Sequence, residues 1–151
     1  MATVEERLAR LEAIEAIKQL KARYCALCDH DYEPDALAAL FTPDGIWDGG
    51  LFGRYEGREA IRSFFRSISG SIIFAAHLVL NPIVEVDSAT TARGKWRLIM
   101  PCTAKNDAGV PEARWLLSEY DETYALQDGA WMFRTLHLTV NFYAPHLKGW
   151  A

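Results

Sequence analysis

Two short stretches of this 151-residue sequence carry residues that can do chemistry: "YCALCDHDY", residues 24–32, and "FAAHLVL", which holds the lone His77. A carboxylate bonded to one imidazole nitrogen fixes the tautomer and stabilises the imidazolium, leaving the other nitrogen free as a base. His77 alone, in an apolar segment, reads first as a satisfied core residue. A carboxylate partner changes that reading, and Asp29 is the best-placed candidate. Tyr24 reads as a core aromatic or as a hydrogen-bond donor to a substrate oxygen. It lies roughly 140° from Asp29 around an ideal helix, so the two converge only if the helix ends, bends, or has a ligand between them. His30, Asp31 and Asp35 read as residues that solvate or cap the turn.

These side chains need elements to hold them. Leu8, Leu11, Ile14, Ile17, Leu20, Tyr24 and Leu27 recur at steps of three or four, predicting one amphipathic helix that ends near Asp31. "EPDALAALFTPDG" predicts a short helix with Asp35 as its N-cap, stopped by Pro43 and Gly45. The glycine-rich, aromatic "GIWDGGLFGRYEG" around Trp47 suits a short hairpin or strand with a loop. "GREAIRSFFRSISG" predicts a third helix with Ile61, Phe64, Phe65 and Ile68 inward. After Gly70 the pattern turns to about four long strands, with hairpin turns at Asp87-Ser88 and Asp128-Gly129. By alternation His77 shares a strand face with Val79, Asn81 and Ile83. The last strand carries Arg134 on one face and His137, Thr139 and Asn141 on the other, and one of those faces lines the interior. The order predicts an α+β fold, with helices on one face of a curved sheet enclosing apolar space for a small molecule. We read residues 1–151 as one domain, with 143–151 a tail that lies against the body or is disordered.

Composition narrows the classes. Half the residues are apolar and 24% are charged, the mix of a soluble globular domain. A formal charge of −4 with scattered Lys and Arg argues against nucleic acid as a partner. No apolar run is long enough to span a membrane, and the charged N-terminal segment lacks the apolar core of a signal peptide, so we expect a cytoplasmic protein. Cys25 and Cys28 have CxxC spacing, but no second ligand pair follows. With Cys102 they read as small apolar fillers in a reduced protein. There is no phosphate loop, serine nucleophile elbow or HExxH, so neither metal nor cofactor is expected.

The segments "IEAIKQLKARYCALCD", "FAAHLVLNPIVEVDSATTARGKW" and "SEYDETYALQDGAWMFRTLHLTVNFY" resemble the SnoaL-like branch of the nuclear transport factor 2-like superfamily. The resemblance runs from about Val4 to Tyr143. It is nearest in pattern to its bile-acid dehydratase and hexachlorocyclohexane dehydrochlorinase members, and more distant from scytalone dehydratase. It implies a cone: a strongly bent mixed sheet with three helices around an apolar pocket, in chains that assemble as homodimers or homotrimers. It also implies an Asp29–His77 dyad with His77 as base, and Tyr24 as a catalytic tyrosine. Met100 stands where the dehydratases have a second aspartate. Their last-strand arginine falls near Leu136 or Val140, with Arg134 as a substitute only if the register or a bulge allows. Trp47, Met100, Arg134, His137 and Asn141 are the expected substrate contacts. The implied activity is that of a cofactor-independent lyase or isomerase for a small, largely apolar, cyclic or polycyclic molecule. The alternatives are a noncatalytic binding or oligomerisation module, or the small subunit of a ring-hydroxylating dioxygenase.

Overall fold

The charged N-terminal segment coils into helix α1 (Val4–Asp29), opened by a capping box in which Thr3 and Glu6 exchange side-chain and backbone hydrogen bonds. The computed structural model describes residues 1–147, and these form three α-helices, one 3-10 turn and seven strands. The apolar stripe of α1 is buried only from Ile17 onward. Leu8 and Leu11 stay exposed, so the helix packs through its second half.

Helix α2 (Pro34–Ala39) begins at a proline, in a slot that needs no N–H. Asp35 therefore falls inside the first turn, and Glu33, not Asp35, occupies the cap position. The helix stops at Ala39, ahead of Pro43, because β1 (Phe41–Asp48) has already begun. A 3-10 turn (Gly50–Phe52) leads to β2 (Arg54–Glu56), and α3 (Arg58–Ile68) buries Ile61, Phe64 and Phe65 as their spacing predicts. Arg58 donates to the Phe41 carbonyl at 2.7 Å and Arg62 pairs with Asp35 at 2.7 Å, tying α3 to β1 and α2.

The remaining strands are β3 (Ile72–Ala75), β4 (Leu78–Val86), β5 (Thr91–Lys105), β6 (Pro111–Gln127) and β7 (Ala130–Pro145). They form one curled mixed sheet of order β2-β1-β7-β6-β5-β3, with β4 also on β5 and only β1–β7 parallel. In the long strands alternate residues point inward, among them Leu98 and Met100, Leu116 and Tyr120, and Leu136 and Leu138. This is the expected α+β cone. The β6–β7 turn places Asp128 at φ 51° and Gly129 at φ 77°, as a tight hairpin requires.

Two expectations are corrected here. The strand predicted through His77 is broken between β3 and β4, because the His77 backbone N–H bonds to a side-chain carboxylate. Asn81 then sits at φ 53° in a register shift, so His77 does not share a continuous strand face with Val79, Asn81 and Ile83. The tail predicted from 143 starts later, since β7 runs through Pro145; residues 148–151 lie outside the described residues.

Behind the apolar row lies a buried charge pair that the sequence reading did not anticipate. Lys21 (1% exposed) binds the carboxylate of Glu122 (0% exposed). The Tyr124 hydroxyl donates to the second Glu122 oxygen and accepts from Trp96 Nε1–H at 3.0 Å. The opposite wall is Gly94, where a Cβ would meet the Tyr124 hydroxyl at 2.8 Å. Removing one partner of such a pair strands the other charge, whereas removing both charges does not. Lys21→Met should therefore cost about 3–5 kcal/mol in denaturant unfolding, and Lys21→Met/Glu122→Gln should recover most of it. An unchanged midpoint for the single variant would contradict this view of the pair.

Candidate active site

Helix α1 keeps its regular geometry through Asp29, and the His30 N–H closes it by donating to the Ala26 carbonyl. The Asp29 carboxylate then reaches across to the gap between β3 and β4. It accepts from the His77 backbone N–H at 3.0 Å (Oδ1) and 3.1 Å (Oδ2), and Oδ1 lies 2.6 Å from His77 Nδ1. An ionised carboxylate only accepts, so Nδ1 carries the hydrogen and the lone pair of the neutral ring resides on Nε2. Among the described residues Nε2 has no hydrogen-bond partner. The His77 side chain is 7% exposed, that of Asp29 33%.

His77 lines a cavity of about 340 Å³ inside the cone, within the size range of small-molecule sites. Tyr24 lines it too. The turn of helix between Tyr24 and Asp29 is not bent to bring them together; His77 bridges from one to the cavity held by the other. The Tyr24 hydroxyl accepts from Trp47 Nε1–H at 2.9 Å, and Cys28, one turn on, lies within hydrogen-bonding reach of it. Gly49 lets the backbone pass against the Trp47 indole, where a Cβ would sit 2.3 Å from the ring.

Of the five expected substrate contacts, Trp47 and Met100 line this cavity. Arg134, His137 and Asn141 do not. The reason is register. Phe133 pairs with Tyr124 and Thr135 with Thr123, which leaves Arg134 in a bulge; Asn141 occupies a second bulge between Val140 and Phe142. Phe133, Leu136 and Leu138 point inward, while Arg134 pairs with Asp44 at 3.1 Å and His137 with Asp48 at 3.3 Å on the outer face. The bulge turns Arg134 to solvent, so it does not take the place of the missing arginine.

The cavity wall holds residues that were not singled out, chiefly Tyr32, Tyr120 and Tyr143, with Tyr55 behind Trp47 and Phe64. Tyr32 follows Asp31, and both have left-handed backbones (φ 51° and 59°), which fold the phenol back against the site. Its ring stands edge-on to His77 at 6.1 Å and stacks on Phe65 at 6.2 Å. Paired positive-φ residues behind a helix leave no sequence signal without Gly or Asn. Tyr120 did have one: it alternates with Leu116, Ser118, Glu122 and Tyr124 along one face of β6. Among the described residues no Asp, Glu, Lys or Arg lines the cavity, and five of the six tyrosines do.

A SnoaL-like domain model matches residues 9–137. The chain belongs to the SnoaL-like domain family. Solved structures of the same shape include a scytalone-dehydratase-like protein from Novosphingobium aromaticivorans, 21% identical over 92% of this chain and 91% of that one, with TM-score 0.81. A type 2 hexachlorocyclohexane dehydrochlorinase is 21% identical over 96% and 97%, with TM-score 0.84. A type 3 enzyme of the same name from Novosphingobium barchaimii is 23% identical over 95% of each chain, with TM-score 0.80. At these identities the likeness establishes the fold. Among the described residues of this SnoaL-like domain, no three His, Cys, Asp or Glu side chains gather as a metal site, and no helix is long and apolar enough to cross a membrane.

Burial, the largest influence in each case, raises the pKa of Tyr24, Tyr32 and Tyr120 well above the ordinary tyrosine value and that of Tyr124 likewise; Tyr143 is pushed up to about 12. These phenols are donors, not phenolates, in the folded SnoaL-like domain. For a tyrosine whose folded value exceeds the unfolded one, the folded state holds the proton longer. Its stabilisation is complete below about pH 10 and is lost as pH climbs from there toward the folded value. A tyrosinate absorbance titration should show Tyr24, Tyr32, Tyr120 and Tyr124 ionising only as the protein unfolds. Reversible ionisation of all six tyrosines with circular dichroism unchanged would contradict the buried assignment.

Proposed function

We propose that this protein is a cofactor-independent lyase or isomerase acting on a small, uncharged, largely apolar cyclic molecule. The observation that carries the reading is the Asp29 carboxylate bonded to Nδ1 of His77 beside an apolar cavity, with no protein partner on Nε2. On this reading Nε2 takes a proton from carbon next to a carbonyl, and the C–H electron pair becomes a new π bond. In an elimination the group on the next carbon leaves with its own bonding pair; a departing hydroxyl takes the proton from the imidazolium and leaves as water. In an isomerisation the same proton returns at another carbon. Asp29 stabilises the imidazolium between the two steps, and Tyr24 offers a hydrogen bond to the carbonyl or the leaving oxygen. A positioned base of this kind supplies about 10²–10⁴-fold in rate, and the dry cavity adds to it. The names carried by the similar structures, a dehydratase and a dehydrochlorinase, are of the same reaction class.

A second reading, a ligand-binding module without turnover, draws support from the absence, among the described residues, of any Asp, Glu, Lys or Arg at the cavity wall and from the engagement of the Tyr24 hydroxyl by Trp47. Three free, buried thiols suit a reducing compartment, so we place the protein in the cytoplasm. We assign self-association to the outward row Leu78, Leu80 and Ile83 of β4, kept on one face by the shift at Asn81. Beside it run ion pairs of both signs, Arg97 with Glu119 and Lys95 with Asp121, which make the patch self-complementary in charge.

Two measurements test these readings. With 2-tetralone and 2-cyclohexenone in D₂O, the wild type should speed exchange of the α C–H above buffer. His77→Gln and Asp29→Asn should lose about 10²-fold or more of that rate. Ligand uptake without exchange would favour the binding module. In sedimentation equilibrium the protein should run as a dimer or trimer that Leu80→Asp/Ile83→Asp dissociates; a wild-type monomer would remove the assigned interface.

A further inference from the structure

Two phenols in the cavity wall, Tyr32 and Tyr120, are 5% and 3% exposed, and neither hydroxyl bonds to another described residue. Neither oxygen is among the buried polar atoms that lack a partner, so each is open to accessible space, and what fills the cavity they line can take its hydrogen bond. The two differ in what stands behind them. Each also borders a surface cleft, Tyr32 beside Asp29 and β3 and Tyr120 beside Lys95 and Asp121, and of the two Tyr120 alone carries a cation on its ring. Tyr120 sits at the centre of β6 with the Lys21 ammonium on its ring face, 3.1 Å from the centroid. That ammonium does not border the cavity. Glu122 holds it there, and both side chains are buried. A cation on the face of a phenol draws electron density from the ring and makes the O–H a stronger donor. The buried charge pair thus reaches the cavity wall most closely through Tyr120, with the Tyr24 ring farther off at 4.9 Å.

We propose that Tyr120 is the donor that receives the oxygen on which negative charge develops, and that Lys21, held by Glu122, is its positioning residue. The inference rests on His77 acting as the base proposed above. It assigns the site a substrate with a carbonyl or acidic hydroxyl set apart from the oxygen that Tyr24 contacts. It also gives an otherwise neutral cavity a means of stabilising an enolate without placing a charge against an apolar ligand. Burial keeps Tyr120 protonated, as a donor must be.

4-Nitrophenol tests the assignment, because its neutral and ionised forms absorb at different wavelengths. The wild type should bind it ionised: the proton passes from the ligand oxygen to Nε2 of His77, and the oxyanion accepts from the Tyr120 O–H. Tyr120→Phe should weaken binding by about tenfold or more, the worth of a hydrogen bond to a charged group, and shift the bound ligand toward its neutral form. Lys21→Met/Glu122→Gln keeps the hydroxyl, so it should move both readouts the same way by a smaller factor of about three. Only a change in the bound spectrum counts, since a merely structural role would lower occupancy without changing ionisation. Tyr120→Phe binding and ionising nitrophenol like the wild type would overturn the assignment. Neutral binding by the wild type, with an absorbance maximum that still shifts in Tyr120→Phe, would keep the donor and remove His77 as base. No uptake by the wild type would overturn both.

Discussion

One carboxylate, Asp29, grips two donors of a single residue, the backbone N–H and the Nδ1 of His77, and much of the structure is arranged around that grip. Asp29 is the last residue of α1, where the helix dipole disfavours an anion and no basic residue stands in the last turn to offset it. The His77 N–H and ring supply the compensation, as charge-assisted hydrogen bonds do. The same bonds take the His77 amide out of the sheet, which splits the edge into β3 and β4 and fastens the end of the long helix to the rim of the cone. A strand continuing through His77 would carry its amide in the ladder and leave Asp29 without a partner. The tautomer that exposes Nε2 is therefore a consequence of how the helix end is held.

Charge and apolarity are kept apart with unusual strictness around this site. The outer face of β7 carries Arg134 and His137 in exposed pairs, and the inner face carries Phe133, Leu136 and Leu138. The fully buried charge pair among the described residues, Lys21 with Glu122, lies behind an aromatic wall, its ammonium against Tyr120 and near Tyr24. Desolvating two charges costs several kcal/mol per ion unless geometry and further hydrogen bonds offset it, and here Tyr124 and Trp96 complete the set. What remains at the cavity wall among the described residues is phenols, an indole, one imidazole and the Ser67 side chain, set among apolar side chains.

Helix α3 and the last hairpin turn were legible because each follows a local rule: the apolar spacing of Ile61, Phe64 and Phe65, and the Asp128-Gly129 pair. The Asp29–His77 contact and the places of Tyr24, Trp47 and Met100 were also readable, through their residue types together with the family resemblance. What escaped depends on tertiary structure. Leu8 and Leu11 continue the stripe of α1 past the point where it packs. Arg134 and Asn141 lie in bulges that alternation cannot foresee. Lys21 and Glu122 break the polarity pattern of their own elements and make sense only as a pair 101 residues apart in sequence. Tyr32 reaches the cavity through two left-handed residues that carry no glycine to announce them.

The central claim is that Asp29 holds His77, a residue of the cavity wall, with its hydrogen on Nδ1 and with Nε2 bare. Long-range ¹⁵N–¹H correlation of the His77 ring in its neutral form reads this directly. The account predicts a protonated Nδ1 with a strongly deshielded proton, a nitrogen shift for Nε2 of an unprotonated ring atom, and collapse of that pattern in Asp29→Asn. A neutral ring carrying its hydrogen on Nε2, with no change in Asp29→Asn, would contradict it.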